Sequence, residues 1–135
     1  MSPTPSQTKP KILLIEDEKM LSDMYVSKFR KEGMNVTTAA DGAAGLELAK
    51  KETPDVILLD IIIPRIDGFA VLKELKSDPS TKDVPVILLT NLGQDEDVKK
   101  GNDLGADDYF IKSDHTPAEV VLKINTFLNK KNGQQ

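Results

Sequence analysis

The sequence predicts an α/β protein: an open, doubly wound, five-stranded parallel sheet of (βα)5 form. Three observations predict it. Short apolar or β-branched runs alternate five times with helix-length stretches along 135 residues. Three of those runs are nearly continuous in Ile, Leu and Val, as in strands covered on both faces. Strict alternation requires parallel strands with right-handed crossovers, and five units are too few for an eight-fold barrel.

The strands are read at 11–15, 34–39, 55–59, 84–89 and 107–111, each bounded by Gly, Pro or Asp. The first helix spans 19–31. It carries Met20, Leu21, Met24, Tyr25 and Phe29 at helical spacing and stops at Gly33. The second, 42–50, has Ala43, Leu46 and Ala49 on one stripe, and the third, 68–76, has Phe69, Leu72 and Leu75. The fourth, 95–104, is the weakest, with only Val98 and Leu104 apolar. The fifth, 116–129, opens with a capping box of Thr116 and Glu119 around Pro117. Its apolar face is Val120, Val121, Ile124, Phe127 and Leu128.

Composition narrows the function. The chain has 18 Lys and Arg against 22 Asp and Glu, a net charge of −4, which argues against direct nucleic-acid binding. It lacks cysteine, which excludes disulfides, a thiol nucleophile and thiolate metal sites, and fits a reducing, cytoplasmic compartment. One histidine, His115, is too few for a multi-His metal site; in a polar loop it reads as solvated. No apolar run approaches the roughly 20 residues that span a bilayer. Residues 1–10 read as a flexible lead, 11–130 as one domain and 131–135 as a flexible tail.

In such sheets ligands bind beyond the carboxyl ends of the strands. Strand 1 ends in Glu16-Asp17-Glu18, strand 3 in Asp60, strand 4 in Thr90 and strand 5 in Lys112. If strands 1 and 3 are neighbours, three carboxylates meet beside a hydroxyl and an ammonium. Carboxylates so close repel and need a cation, and an all-oxygen set suits Mg²⁺. A carboxylate beside Mg²⁺, Lys and a hydroxyl is a plausible phosphoryl acceptor. Each residue alone has a plainer reading: Glu16 and Asp17 as helix caps, Asp60 as a turn residue, Thr90 as a strand-end hydroxyl and Lys112 as a solvated charge. Agreement among four strand ends favours the chemical reading.

From Lys11 to about Leu128 the chain resembles the receiver domain of two-component response regulators. The resemblance is carried by Ile12-Leu-Leu-Ile-Glu16-Asp17-Glu18, Pro54-Asp-Val-Ile-Leu-Leu-Asp60 through Pro64 to Asp67-Gly68, Pro85-Val-Ile-Leu-Leu-Thr90, and Gly105-Ala-Asp-Asp-Tyr109 through Lys112. It implies a flavodoxin-like strand order, 2-1-3-4-5. It implies Asp60 as phosphoacceptor and Asp17 as a direct Mg²⁺ ligand. Glu16 would act through a metal-bound water, and the Ile62 carbonyl would complete the shell. Thr90 and Lys112 would contact the phosphoryl group, and Tyr109 would be the switch aromatic. The implied partners are a histidine kinase or histidine phosphotransfer protein and a downstream protein target, with no membrane. The chain would be a monomer or a weak phosphorylation-dependent dimer, catalysing its own aspartyl phosphorylation and dephosphorylation.

Three departures from the family pattern stand out. Ser113 follows Lys112 where a cis proline is usual; the bond is then trans with a rearranged loop, or cis at about 2.5–4 kcal/mol. Asn91 follows Thr90 where a small residue is usual, and its bulk is expected to narrow the site or restrict Tyr109. Ile62 and Leu92, two residues after Asp60 and Thr90, are apolar where the family flanks the hydrolytic water, so a long-lived phosphorylated state is expected.

Other classes fit less well. A haloacid-dehalogenase-like phosphatase wants a second Asp where Ile62 stands. A flavin or mononucleotide module wants a Gly-rich first loop, not Glu16-Asp17-Glu18. A receiver-like scaffold not regulated by phosphorylation is the alternative. With no room for an output domain after Lys130, a stand-alone receiver acting by contact is expected, in motility control or a phosphorelay.

Overall fold

The computed structural model describes residues 9–64 and 66–131. The elements are β1 (Lys11–Ile15), α1 (Lys19–Lys31), β2 (Asn35–Ala39), α2 (Gly42–Glu52), β3 (Val56–Leu59) and α3 (Gly68–Ser77). Then follow β4 (Val86–Thr90), α4 (Asp95–Asp103), β5 (Asp108–Ile111), a single 3₁₀ turn (Lys112–Asp114) and α5 (Pro117–Lys131). The five strands are parallel in the order β2-β1-β3-β4-β5, as expected.

The apolar strands explain the two-sided core. Alternate side chains leave a strand on opposite faces. Ile12, Leu14, Val56, Leu58, Ile87 and Leu89 therefore pack on α1 and α5 with Tyr25, Phe29, Val120, Val121, Ile124 and Leu128. Leu13, Ile15, Ile57, Leu59, Val86 and Leu88 pack on the other face with Ala49, Phe69, Val71, Leu72 and Leu75. Each large apolar side chain so buried contributes about 1.5–3 kcal/mol. That burial fixes strand register, which sets the strand ends side by side.

Two helix faces differ from the sequence expectation. On α1, Met20 is 78% and Met24 46% exposed, while Tyr25, Phe29 and Ser22 are buried. The 22/25/29 stripe wins because it carries the two aromatic rings. On α2 the buried stripe is Gly42, Gly45 and Ala49, and Ala43 is exposed. Small residues there let the helix sit close on the sheet: a Cβ at Gly45 would lie 2.5 Å from Ile15 Cδ1. α3 and α5 bury the expected residues, although Phe127 only in part. The Thr116–Glu119 capping box is present and reciprocal, at 3.1 and 2.8 Å.

The predicted lead (1–10) and tail (131–135) fall largely outside the described residues. Among the described residues, no helix is long and apolar enough to cross a membrane.

Candidate functional site

The backbone ladder places the carboxylates. One residue beyond β1, the Glu16 N–H donates to the Ala39 carbonyl at 2.9 Å; one residue beyond β3, the Asp60 N–H donates to the Ile15 carbonyl at 3.0 Å. Both residues thus extend the sheet by one step, with their carboxylates together at its carboxyl edge. The chain leaves Asp60 through Ile61, which is held close under α3. A Cβ at Gly68 would lie 2.3 Å from the Ile61 Cα, so only glycine fits there.

The structure brings together Glu16, Asp17, Asp60 and Lys112. Carboxylate oxygens of Glu16, Asp17 and Asp60 lie within 4.8 Å of one another. The Lys112 ammonium donates to Glu16 Oε1 at 2.6 Å and to Asp60 Oδ2 at 2.7 Å. The other oxygen of each buried carboxylate accepts a backbone N–H: Glu18 to Glu16 Oε2 at 2.9 Å, Ile62 to Asp60 Oδ1 at 3.0 Å. Asp17 is exposed, whereas Glu16 and Asp60 are buried. The N-cap of α1 is Glu18, without a side-chain capping bond, so capping does not explain Asp17.

Burial pushes the Glu16 carboxyl above its usual range, and the hydrogen bonds from Lys112 and Glu18 only partly offset this. Burial alone would depress the Lys112 ammonium. Its hydrogen bonds to Asp60 and Glu16 outweigh that and hold it above the ordinary lysine value. The buried Tyr25 phenol is pushed up to about 12 by burial and stays neutral near these charges.

With all groups ionised, three carboxylates face one ammonium, a balance of −2. The donors are hard oxygens, two of them oriented by backbone amides, and one carboxylate is open to water. That set fits a hard divalent cation that keeps part of its water shell.

The carboxyl edge opens as a cleft of about 330 Å³ lined by these four residues together with Glu18, Ile62 and Asn91. Ile62 is 57% exposed, whereas Ile61 is buried and Ile63 half-buried on the core, so this apolar triplet divides its roles. Leu92 is half-buried against the second core cluster and is not among the residues lining this cleft.

Thr90 ends β4, fully buried. Its Oγ1 accepts the Leu92 N–H at 3.4 Å, which leaves its own O–H to donate. The Tyr109 hydroxyl donates to the Leu92 carbonyl. The Leu92 main chain therefore links Thr90 to Tyr109, a connection through backbone that side-chain identities did not suggest. Tyr109 is half-buried. Its ring rests on α4 because Gly101 has no Cβ, which would lie 3.3 Å from that ring. Partial burial and the Asp97 and Asp60 charges push its phenol up, so it remains a donor.

The Lys112–Ser113 bond is trans, since the described residues hold no cis peptide. The loop forms the 3₁₀ turn, and the Ser113 N–H donates to Asn91 Oδ1 at 3.0 Å. Asn91 thus contacts the β5–α5 turn; no hydrogen bond joins it to Tyr109. His115 is half-buried against the Phe110 ring, at 5.5 Å between centroids, rather than solvated.

Comparison with known proteins agrees with this geometry. The family model described as the response regulator receiver domain matches residues 12–125. The DNA-binding dual master transcriptional regulator RpaA of Synechocystis is 44% identical over 121 residues, which are 90% of this chain and 50% of that protein. The probable transcriptional regulator ycf27 of Guillardia theta is 39% identical over 93% of this chain and 48% of its own. The chain spans about half the length of these relatives. The solved receiver domain of the Francisella response regulator 1452 superposes with a TM-score of 0.83. It is 31% identical and covers 91% of this chain and 99% of its own.

Proposed function

The chain belongs to the receiver-domain family of two-component response regulators, and from that premise we propose that Asp60 is its phosphoacceptor. The observation that carries this reading is the Lys112 ammonium bridging Glu16 and Asp60 at the sheet's carboxyl edge, with Asp17 beside them. An Asp60 carboxylate oxygen attacks the phosphorus of an incoming donor. The bond from phosphorus to the donor breaks, and its electron pair leaves with the donor. A histidine kinase or histidine phosphotransfer protein is the expected physiological donor, with imidazole nitrogen as leaving group.

Asp17, Glu16, Asp60 and the Ile62 carbonyl would hold Mg²⁺, Glu16 through a water. The ion would neutralise the clustered carboxylates and the charge on the transferred oxygens. Lys112 pairs with the same oxygens, and the Thr90 O–H donates to one of them. The Thr90–Leu92–Tyr109 linkage carries the change to α4 and β5. α4 buries only Gly101 of its own residues, so it is the least anchored helix. The surface so altered would meet a downstream protein target.

The test adds a small phosphodonor with Mg²⁺ and follows intact mass and thermal unfolding. One phosphoryl group is expected. Mg²⁺ at about ten times its Kd should stabilise by about 1.4 kcal/mol, a rise of about 4 °C. Asp17→Ala should remove that rise at matched ionic strength. An Asp17→Ala protein stabilised as fully as wild type would contradict the ligand assignment.

The phosphorylated state should also be long-lived. Hydrolysis needs a water held in line with the acyl phosphate, and Ile62 at the cleft wall offers it no hydrogen bond. Ile62→Asn should speed loss of the phosphoryl group several-fold in a pulse-chase with Mg²⁺. The half-buried Leu92 contributes mainly packing, so Leu92→Glu should cost stability more than it alters lifetime. An unchanged rate in Ile62→Asn would exclude Ile62 as the determinant.

A further inference from the structure

Two departures from the family pattern meet in one hydrogen bond. Asn91 and Ser113 stand 22 residues apart, and the Ser113 N–H donates to Asn91 Oδ1 at 3.0 Å. Proline has no N–H, so this bond exists only because another residue follows Lys112. The bond joins the loop after β4 to the turn after β5 beside the cleft, which Asn91 and Lys112 both line.

The position of that turn matters to the site. Lys112 begins the turn at the edge strand, yet its ammonium reaches across β4 to Asp60 beyond β3 and Glu16 beyond β1. The side chain is long and flexible, so its reach depends on where its backbone is held. At the end of the turn the His115 N–H donates to the Lys112 carbonyl at 3.3 Å. The Asn91–Ser113 bond is the lateral tie from this turn to the neighbouring strand's loop.

We propose that Asn91 is a positioning residue for Lys112. Its Oδ1 latches the Lys112–Asp114 turn to the loop after Thr90 and so fixes the ammonium over Glu16 and Asp60. A hydrogen bond thereby does the work of a rigid ring after the lysine, and it ties the charge-pairing loop to the loop that carries Thr90. The kinetic consequence rests on the reading of Asp60 as acceptor; the bond itself does not.

The experiment is a double-mutant cycle with Asn91→Ala and Ser113→Pro, using a small phosphodonor, Mg²⁺ and intact mass. In the Ser113 background, Asn91→Ala should lower the maximal rate of phosphoryl uptake by about tenfold, the scale of a slightly misplaced group, with half-saturating donor within about twofold of wild type. In the Ser113→Pro background the same substitution should have no further effect, because the donor N–H is already gone. Amide exchange gives a second readout. The Ser113 amide should exchange faster in Asn91→Ala and stay protected in Asn91→Asp, which keeps an acceptor oxygen. Equal slowing in both backgrounds, or wild-type uptake in Asn91→Ala, overturns the proposal, as does unchanged exchange at Ser113. If wild type takes up phosphoryl at a residue other than Asp60, the acceptor reading fails, while exchange at Ser113 still decides the latch.

Discussion

Asp60→Asn is expected to lose phosphoryl uptake entirely, by at least about 10³-fold, because an amide cannot replace a carboxylate nucleophile. In the proposed reading the neighbouring carboxylates serve the cation. Glu16 holds the same pair of contacts as Asp60, Lys112 on one oxygen and a backbone N–H on the other, so the variant shows directly whether it can take the acceptor's place. Asp17 is exposed and lines the same cleft. Removing one of three clustered carboxylates still leaves Lys112 paired with Glu16. The variant should therefore unfold no more readily than wild type without Mg²⁺, so the loss is chemical. Labelled small phosphodonor and intact mass make the measurement. Uptake at the wild-type level in Asp60→Asn would move the acceptor elsewhere.

Lys112→Ala is expected to damage both chemistry and stability. Removing the cation leaves Glu16 and Asp60 buried together with no opposite charge. Breaking a fully buried pair costs about 3–5 kcal/mol, and a cleft open at one side reduces that to about 2 kcal/mol. Phosphoryl uptake should fall about 10²-fold or more, since the ammonium no longer offsets charge on the transferred oxygens. The pH dependence has a definite sign. The folded state holds the Lys112 proton more tightly than the ordinary value of 10.5, so its stabilisation is complete below that value. It is lost as pH rises through the raised folded value. Lys112→Ala should flatten this alkaline decline, and Mg²⁺ should restore part of the lost stability by screening the two carboxylates. Denaturant unfolding at neutral and alkaline pH, with and without Mg²⁺, checks each part. An unchanged midpoint in Lys112→Ala would show that the bridging ion pairs do not hold this edge together.

The sheet was legible because three strands are apolar on both faces and alternate with helix-length stretches, a combination that fits a parallel sheet covered on each side. Parallel strands bring their carboxyl ends to one edge, but grouping Glu16 with Asp60 required strands 1 and 3 to be neighbours, an order that the family resemblance implied. Helix faces were less legible. On α1 the two exposed methionines follow helical spacing as well as Tyr25 and Phe29 do, and only packing against β1 and β3 separates the stripes. On α2 the face is chosen by close approach of Gly45 to Ile15 and of Gly42 to Val71, which hydrophobicity does not register. The Thr90–Leu92–Tyr109 linkage runs through main-chain groups, which every residue but proline carries alike. The Asn91–Ser113 bond joins two loops with no periodic signal between them. Its trace in the sequence was the coincidence of two departures from the family pattern, each beside a candidate site residue.

A phosphoryl group on Asp60 should reorder the surface reached through Leu92 and Tyr109. Amide hydrogen exchange with and without fluoroberyllate, a mimic of the bound phosphoryl group, tests it most directly. In wild type with Mg²⁺, changes should concentrate at 91–94, in α4 and at Tyr109, and Asp60→Asn should show none of them. Identical exchange with and without the mimic, or changes confined to α2, would contradict the account and favour a scaffold that phosphorylation does not regulate.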